Sequence, residues 1–415
     1  MKVLLSANAC DPYGGSEPYF GWSAVQCLAH DHELWVLSSP RHRHNLEQAE
    51  AQGLAPTNVH FIYAGHFRPW HPNRLRARLQ SWTEYRSFAG AILPVARQLH
   101  RSVKFDLTHH VTYATWRVAS PLWKLGIPFV FGPIGGNEKF PLRLFPTLSA
   151  SAAAFELLRM TSNTVSKASP SVRACIRRAA HVFAADSETQ SLIRRMRASE
   201  AGISWLMPAF YSDAKIKAFA QYAALRTLSG PLRIFAGGQL EGRKGVALAF
   251  HALAQVKAKG VKFRYRLSAH GPEVPHLQKL AVKLGLRDEI MFESPLSGEA
   301  YRKELGATHA FLLPSLRESA GLTMMEAMLA GCVPIVADRG GPAHIVTDEC
   351  GYKTPVSSCQ RMVDHLANTI LAIDRDRTII PKKGAAAAAR IATAFNEDNY
   401  RNAVNSVYRA LAGRS

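Results

Sequence analysis

Two segments in the second half of the chain combine charged side chains with glycines. The first is GGQLEGRKG at 237–245, which follows an apolar run and sets Arg243 beside Lys244. Glycines such as Gly238 let the backbone approach a ligand, and a helix that starts after them offers free N–H groups and its positive dipole end. This combination predicts a nucleotide-diphosphate site, with a glycine turn bearing ordinary surface cations as the alternative.

The second segment is PSLRESAGLTMMEAML at 314–329, which follows another apolar run. Open α/β sheets bind ligands at the carboxyl ends of their strands, and this segment begins at such an end. Glu326 is predicted to accept from a ribose diol, and Glu318 to reach a sugar hydroxyl or stabilise developing positive charge. Amides in between could bind phosphate or sugar oxygens; they belong to Ala320, Gly321 and Leu322. Two surface glutamates are the alternative.

The elements that must position these residues alternate along the chain. Short apolar runs separated by helix-compatible stretches predict parallel strands covered by helices. The predicted strands are 3–7, 33–38, 60–63, 106–110, 128–132, 181–185, 232–238, 264–268, 290–292, 310–313 and 333–336. Two series, each opening on a strand followed by Gly-Gly, indicate two Rossmann-like domains in an α/β protein.

The composition of the 415 residues excludes several classes of protein. Hydrophobic residues make up 47% of the chain, which is typical of globular domains. The six cysteines form no CxxC pair, so we expect neither a zinc site nor a disulfide framework. The N-terminus has no long apolar segment of the signal-peptide kind, and no charge-free apolar stretch is long enough to span a membrane. We therefore expect a cytoplasmic protein.

The charge is the unusual property, with 51 Lys and Arg against 31 Asp and Glu, a formal net charge of +20. Such a surface attracts anions. The excess is densest between Arg68 and Lys104, where Trp70 and Trp82 are interleaved. This segment could bind an anionic membrane surface or form a solvated helix face. No nucleic-acid motif accompanies the charge, so we expect no nucleic-acid partner.

The motifs together resemble the family-4-like retaining glycosyltransferases of the GT-B fold. The resemblance covers nearly all of 230–357, and the family's EX7E motif matches Glu318 and Glu326. Gly14-Gly15-Ser16-Glu17 resembles the family's N-terminal glycine loop. The resemblance implies two Rossmann-like domains with a cleft between them and a C-terminal helix that returns to the N-terminal domain. The boundaries are then 1–207 for the acceptor domain, 208–230 for a linker, 231–390 for the donor domain and 391–415 for the helix.

The resemblance also implies the roles of the site residues. Arg243 and Lys244 neutralise the leaving diphosphate without a metal, while Glu326 holds the ribose and Glu318 the transferred sugar. The donor site further includes Gly14, Gly15, Gly238, His270, Gly271, Ala320, Gly321 and Leu322. The donor is a nucleotide-diphosphate sugar used as co-substrate, with no other cofactor. The acceptor is a saccharide or a polyprenyl-diphosphate-linked saccharide in bacterial envelope or exopolysaccharide synthesis.

The sequence departs from the family pattern at several histidines. Where the family often has Asp-x-x-His-x-His, this chain has adjacent His109 and His110, so one of them is expected to face the ligand, with His110 favoured. His270 and His344 replace more usual acidic residues. A non-hydrolysing sugar-nucleotide epimerase and an inactive nucleotide-sugar-binding protein are the alternative functions. Asp374-Arg375-Asp376 matches a metal-binding DxD string, but we expect it to be a solvated helix face.

Overall fold

The computed structural model describes residues 1–69 and 74–413, with only the backbone for 74–79 and 269. These residues form two compact units. The first contains Met1–Asn137, Ser162–Phe210 and Glu397–Ser415, and the second contains Glu138–Thr161 and Tyr211–Asn396. Each unit is built on one parallel sheet.

The sheet of the first unit has seven strands in the order β3-β2-β1-β4-β5-β6-β7, and all neighbours are parallel. Its strands are β1 (Lys2–Ser6), β2 (Glu33–Ser38), β3 (Val59–Tyr63), β4 (Leu107–His110), β5 (Phe129–Ile134), β6 (His181–Ala184) and β7 (Ile203–Trp205). The order reverses direction between β1 and β4, as in doubly wound folds.

The sheet of the second unit has six parallel strands in the order β10-β9-β8-β11-β12-β13. Its strands are β8 (Leu232–Gln239), β9 (Phe263–His270), β10 (Ile290–Glu293), β11 (Ala310–Leu312), β12 (Val333–Ala337) and β13 (Tyr352–Thr354). Strands β8 and β11 are neighbours, so the segments that follow them lie at the same edge.

Helices connect the strands in both units. In chain order they are α1 (Glu17–Ala29), α2 (Arg43–Ala51), α3 (Arg74–Val103), α4 (Ala150–Ala168), α5 (Pro170–Arg178), α6 (Ser187–Arg197), α7 (Asp213–Ala220), α8 (Val246–Ala258), α9 (Val274–Lys283), α10 (Gly298–Ala307), α11 (Leu322–Leu329), α12 (Gly340–Ile345), α13 (Cys359–Arg375), α14 (Ile379–Ala394) and α15 (Glu397–Ala412).

The central strands are apolar because both faces of each sheet are covered by helices. Every residue of β11 and β12 is buried. In the first unit, one face packs against α1 and α15, and the other against α3, α5 and α6. Helix α15 contributes Tyr400, Val404 and Tyr408 to the core of this unit. The predicted return of the C-terminal helix to the N-terminal domain is confirmed.

All eleven predicted strands are present, and the predicted architecture of two Rossmann-like domains is confirmed. The three-residue edge strands β7 and β13 were not predicted, because they lack a distinct apolar run. The predicted first domain, 1–207, also differs from the structure. Residues 138–161 group with the second unit, where Glu156 pairs with Arg317 and Glu138 accepts from Ser319, contacts that no local pattern reveals.

Among the residues that the structure describes, no helix is both long enough and apolar enough to cross a membrane.

Candidate functional site

The two predicted cations lie in a tight turn between β8 and α8. The turn is a single 3-10 helix, Gly242–Lys244, and Gly245 caps α8 with a φ of +69°. A Cβ at Gly245 would lie 2.2 Å from the carbonyl oxygen of Pro314. The turn therefore requires glycine both for its backbone conformation and for its close approach to the segment after β11.

Glu318 lies between the two cations. Arg243 Nη1 is 3.3 Å from Glu318 Oε2, and Lys244 Nζ contacts the same oxygen. Burial alone would raise the pKa of Glu318, but the charges of Lys244 and Arg243 outweigh it and lower the pKa to about 2. Glu318 is therefore ionised at neutral pH. The sequence-predicted cations and carboxylate form one cluster.

The loop that carries Glu318 is held by backbone contacts on two sides. Leu316 donates its N–H to the carbonyl oxygen of Arg243 at 2.8 Å, and Arg243 Nη1 donates to that of Arg317 at 2.8 Å. On the other side, Gly341 donates its N–H to the carbonyl oxygen of Glu318 at 2.9 Å. A Cβ at Gly341 would lie 1.9 Å from Ser319 O. Sequence reasoning gave no role to this glycine, although the Gly-Gly-Pro string marks a tight turn.

The free amides lie at the N-terminus of α11. Gly321 adopts a φ of +76° as its N-cap, and Ala320, Gly321 and Leu322 are half-buried. A Cβ at Gly238, at the end of β8, would lie 3.7 Å from Thr323 Oγ1. The glycines after β8 and the helix start after β11 are thus adjacent, which brings N–H groups and a positive dipole end next to the cations.

Glu326 lies one turn further into α11 and is half-buried. Tyr301 donates its hydroxyl to Glu326 Oε2 at 3.0 Å, and Lys215 Nζ is 3.4 Å from Glu326 Oε1. Sequence reasoning missed both partners, since neither lies in a recognisable motif. They fix the orientation of the carboxylate.

His270 and Gly271 end β9 at the same edge of the sheet. Leu240 donates its N–H to the carbonyl oxygen of His270 at 2.7 Å. A Cβ at Gly271 would lie 2.3 Å from Leu240 O, and its φ is +150°. The side chain of His270 is exposed. These two residues therefore lie beside the segment that leads from β8 to the cations.

Two buried acids from the segment 138–161 hold the residues on either side of Glu318. Glu156 Oε1 accepts from Arg317 Nη2 at 2.7 Å, and a carboxylate oxygen of Glu138 accepts from the Ser319 hydroxyl. Arg159 Nη2 lies 3.3 Å from the other oxygen of Glu138. Sequence reasoning missed these acids, because they lie about 160 to 180 positions before their partners.

The glycine loop of the first unit has its own support. Asp11 accepts from the backbone N–H of Tyr13 at 2.9 Å and from Asn45 Nδ2, and its Oδ2 lies 3.0 Å from His42 Nδ1. A Cβ at Gly14 would lie 2.9 Å from Pro18 Cβ. Gly15 has nothing within 4 Å of such a Cβ. The backbone at Gly15 is therefore open, and its contact with a donor phosphate stays a prediction.

The two adjacent histidines are both buried in the first unit. His109 Nδ1 lies 2.6 Å from the Tyr408 hydroxyl on α15, and its Nε2 lies 2.6 Å from Gly132 O. Burial lowers the pKa of His109 to about 3 and that of His110 to about 4, so both are neutral at pH 7. His109 connects two elements of the core with both ring nitrogens. His110 Nδ1 faces Ser6 Oγ at 3.2 Å, and only His110 is retained as a ligand-facing prediction.

The described residues contain no group of three or more His, Cys, Asp or Glu side chains placed to hold a metal ion. The DxD string lies at the end of α13, where Asp374 pairs with Arg377 and Asp376 accepts from the Thr378 hydroxyl at 2.6 Å. These contacts agree with the predicted solvated helix end.

Comparison with known protein families gives a match to the second half of the chain. Residues 223–402 match the family model "Glycosyl transferases group 1". These residues are similar to the group 1 glycosyl transferases. The chain is 28% identical over 191 aligned residues to a putative colanic acid biosynthesis glycosyltransferase, WcaL, of Salmonella typhimurium. That alignment covers 44% of this chain and 46% of the relative, and the chain spans about half or less of the length of the first curated relatives it matches.

Solved structures show the fold over the whole length. Sucrose-phosphate synthase from Thermosynechococcus elongatus superimposes with a TM-score of 0.65 at 18% identity and covers 100% of both chains. Anabaena HepE in complex with UDP-glucose has a TM-score of 0.61 at 16% identity, over 99% of this chain and 100% of that one. The group 1 domain thus lies within a full GT-B fold.

Proposed function

We propose that the protein transfers a sugar from a nucleotide-diphosphate donor to a saccharide or lipid-linked saccharide in bacterial envelope polysaccharide synthesis. The observation that carries this proposal is the cluster of Arg243, Lys244 and Glu318 beside the N-terminus of α11. Such a cluster offers two positive charges and free amides to a diphosphate, with a carboxylate for the attached sugar. Relatives named for colanic acid and amylovoran synthesis support the acceptor class.

In the proposed donor complex, the diphosphate takes over the two cations that Glu318 contacts in the free protein. Arg243 and Lys244 stabilise the negative charge that develops as the diphosphate leaves, a role that a metal ion has in other transferases. Glu318, released from one or both cations, accepts from a hydroxyl of the transferred sugar. Glu326, oriented by Tyr301 and Lys215, accepts from the ribose diol.

We further propose that the reaction retains the anomeric configuration. In the proposed complex, Arg243 and Lys244 hold a leaving phosphate oxygen on the side where the acceptor hydroxyl arrives. That oxygen would accept the proton of the attacking hydroxyl. His110, neutral at pH 7, is proposed to contact the sugar rather than to act as the base.

A membrane-linked acceptor would place the protein at the inner face of the membrane, and the net charge of +20 suits anionic lipid. The segment between Arg68 and Lys104 lies partly outside the described residues. Its described part, from Gln80 onward, buries Tyr85, Phe88 and Ile92, as an ordinary amphipathic helix does. This part favours the solvated helix face over a membrane-binding segment.

The test compares Lys244→Ala and Glu326→Ala with wild type in nucleotide binding and sugar transfer. Both variants should lose donor-induced thermal stabilisation, since a ligand that binds only the folded state raises Tm according to its affinity. Transfer should fall about 100-fold or more for Lys244→Ala. Lys259→Ala, at the other end of α8 and exposed, is the matched control.

Full binding and transfer by both variants would exclude the site assignment. Product analysis by NMR separates the alternatives. An epimerised nucleotide sugar formed without acceptor would identify an epimerase, and binding without turnover across an acceptor panel would identify an inactive binding protein.

A further inference from the structure

Helix α4 buries two charged residues, Glu156 and Arg159, and has no charged residue on its exposed face. Ten of its residues are exposed and lie within an arc of about 160° at 100° per residue. This outer face consists of Ala150, Ser151, Ala154, Leu157, Leu158, Thr161, Ser162, Thr164, Val165 and Ala168. None of these ten is ionisable. Leu157, Leu158 and Val165 are 54%, 63% and 66% exposed.

The opposite side of α4 is polar and buried. Glu156 pairs with Arg317, and Arg159 donates to the carbonyl oxygen of Glu138 at 2.6 Å. Asn163 accepts from Arg117 Nη1 at 3.1 Å. A helix that faces water normally has the reverse arrangement, with apolar residues inward and charges outward. The outer face of α4 therefore has the composition of a surface that contacts something other than water.

Cations lie at both ends of this face. Lys139 and Arg143 precede the helix and are exposed, and Leu142 between them is 67% exposed. At the other end, Arg173 is exposed and donates to the carbonyl oxygen of Lys167 at 2.7 Å. From 139 to 185, all described, the only acid is Glu156, which is buried. The exposed charged residues of this segment are thus all positive.

The uncharged face with cations at both ends could contact either a second copy of this chain or an anionic bilayer. In a two-fold dimer the face would meet its own copy, and the cations at its ends would approach like charges with no exposed acid in the segment to pair with them. An anionic bilayer offers both an apolar boundary for the leucines and negative headgroups for the cations. The charge complementarity favours the bilayer.

We propose that the outer face of α4, together with Leu142, is the membrane-docking surface of this protein and lies in the headgroup region of an anionic bilayer. The proposal deepens the membrane placement in the proposed function and rests on it, but lipid binding is measured without sugar transfer. It assigns docking to α4 instead of the basic segment between Arg68 and Lys104.

The test is vesicle flotation of the full chain with phosphatidylcholine alone or mixed with phosphatidylglycerol. Wild type should float with the anionic vesicles only, and less at high salt. The variant Leu157→Ser/Leu158→Ser/Val165→Ser should bind at least about tenfold more weakly, because apolar area is lost from the boundary. Lys139→Glu/Arg143→Glu should also bind more weakly. Val282→Ser, at another exposed apolar position on α9, should bind like wild type.

Several results would overturn the proposal. The proposal is wrong if the triple serine variant floats as well as wild type, or if wild type floats equally well with neutral and anionic vesicles. It is also wrong if wild type does not float at all. Loss of flotation only in Arg74→Glu/Arg76→Glu/Arg78→Glu would assign docking to the basic segment. A wild-type dimer that the triple serine variant abolishes, without vesicle binding, would identify a contact between copies.

Thermal stabilisation by nucleotide sugars checks that each variant is folded and separates the two proposals. The triple serine variant should keep it, since its three positions are exposed and Glu156, which holds Arg317, is unchanged. If wild type shows no nucleotide binding but floats as expected, the proposed function fails and the docking surface stands.

Discussion

Glu318 contacts both Lys244 and Arg243, and this shared ion pairing controls the charge of the site. Without Glu318, the buried Lys244 would lose its ion-pair partner at considerable cost in free energy, and Arg243 would keep only Glu241. The carboxylate therefore stabilises the free protein and competes with any anionic ligand for the same two cations. In the proposed complex a diphosphate displaces it, and the displaced carboxylate is then available to the sugar.

Replacing Glu318 with Gln should separate binding from catalysis. Without the competing carboxylate, nucleotide diphosphate should bind as tightly as in wild type or more tightly, while sugar transfer falls about 100-fold or more. Calorimetric titration with nucleotide diphosphates and a transfer assay measure the two effects. Glu241→Gln is the control, because Glu241 forms an ion pair with Arg243 at 2.6 Å, whereas Glu318 forms ion pairs with both Arg243 and Lys244. Weaker nucleotide binding by Glu318→Gln would contradict this account.

At the scale of elements, the loop after β11 is held from three directions. The turn after β8 contacts it through the backbone, the glycines of α12 approach it closely, and the segment 138–161 supplies Glu138 and Glu156. Because Arg317 and Ser319 are both fixed, the residue between them has little freedom. The loop therefore presents Glu318 in one orientation before the donor arrives, which is the preorganisation that catalysis requires.

Glu156→Gln should test this support. The amide keeps a hydrogen-bond acceptor for Arg317 but removes its charge partner, so we expect a loss of about 1–3 kcal/mol in stability. We also expect a lower kcat with a smaller change in donor KM, since Glu318 is misplaced rather than removed. Glu304→Gln, which removes the partner of Arg266 elsewhere in the same unit, should lower stability without this change in kcat. Unchanged kcat in Glu156→Gln would refute the positioning role.

At the scale of the whole molecule, the last helix belongs to the core of the first unit although it follows the second in sequence. His109 makes part of that attachment through its contacts with Tyr408 and Gly132. Burial favours the neutral ring, in which Nε2 donates to the carbonyl oxygen and Nδ1 accepts from the hydroxyl. The attachment of α15 is therefore sensitive to pH.

Burial lowers the pKa of His109 to about 3, against about 6.5 for an unfolded chain. Between these values the unfolded state binds a proton that the folded state does not, so stability should fall as the pH drops below about 6.5. His109→Gln should reduce this slope by up to about 1.4 kcal/mol per pH unit. Unfolding midpoints measured from pH 7 to pH 5 provide the check.

His44→Gln, at an exposed position on α2, is the control for this experiment. It should have the same slope as wild type. A His109→Gln variant with an unchanged slope would show that the ring is not buried in the neutral form. Burial also lowers the pKa values of His110 and His181 to about 4. These two residues should account for the dependence of stability on pH that remains in His109→Gln.

The sequence by itself determined the strands, the two-sheet architecture and the central cluster of the site. Strands that are buried on both faces must be apolar along their length, so their positions are visible locally. Arg243, Lys244 and Glu318 were also predictable together, because parallel strands place their carboxyl ends at one edge. The glycine at 245 is visible for the same reason, since the turn it forms is local.

Only the tertiary structure decided which residues support that cluster and which surfaces remain open. Glu156 and Arg317 lie 161 positions apart in the chain, and no local sequence pattern predicts that they form an ion pair. Sequence alone left open whether His109 or the favoured His110 faces the ligand, and the structure shows that the neighbours of His109 are Tyr408 and Gly132. The uncharged outer face of α4 could be identified only from the tertiary structure, which shows that Glu156 and Arg159 on this helix are buried. Long-range contacts of this kind depend on the packing of elements, and local sequence does not encode them separately.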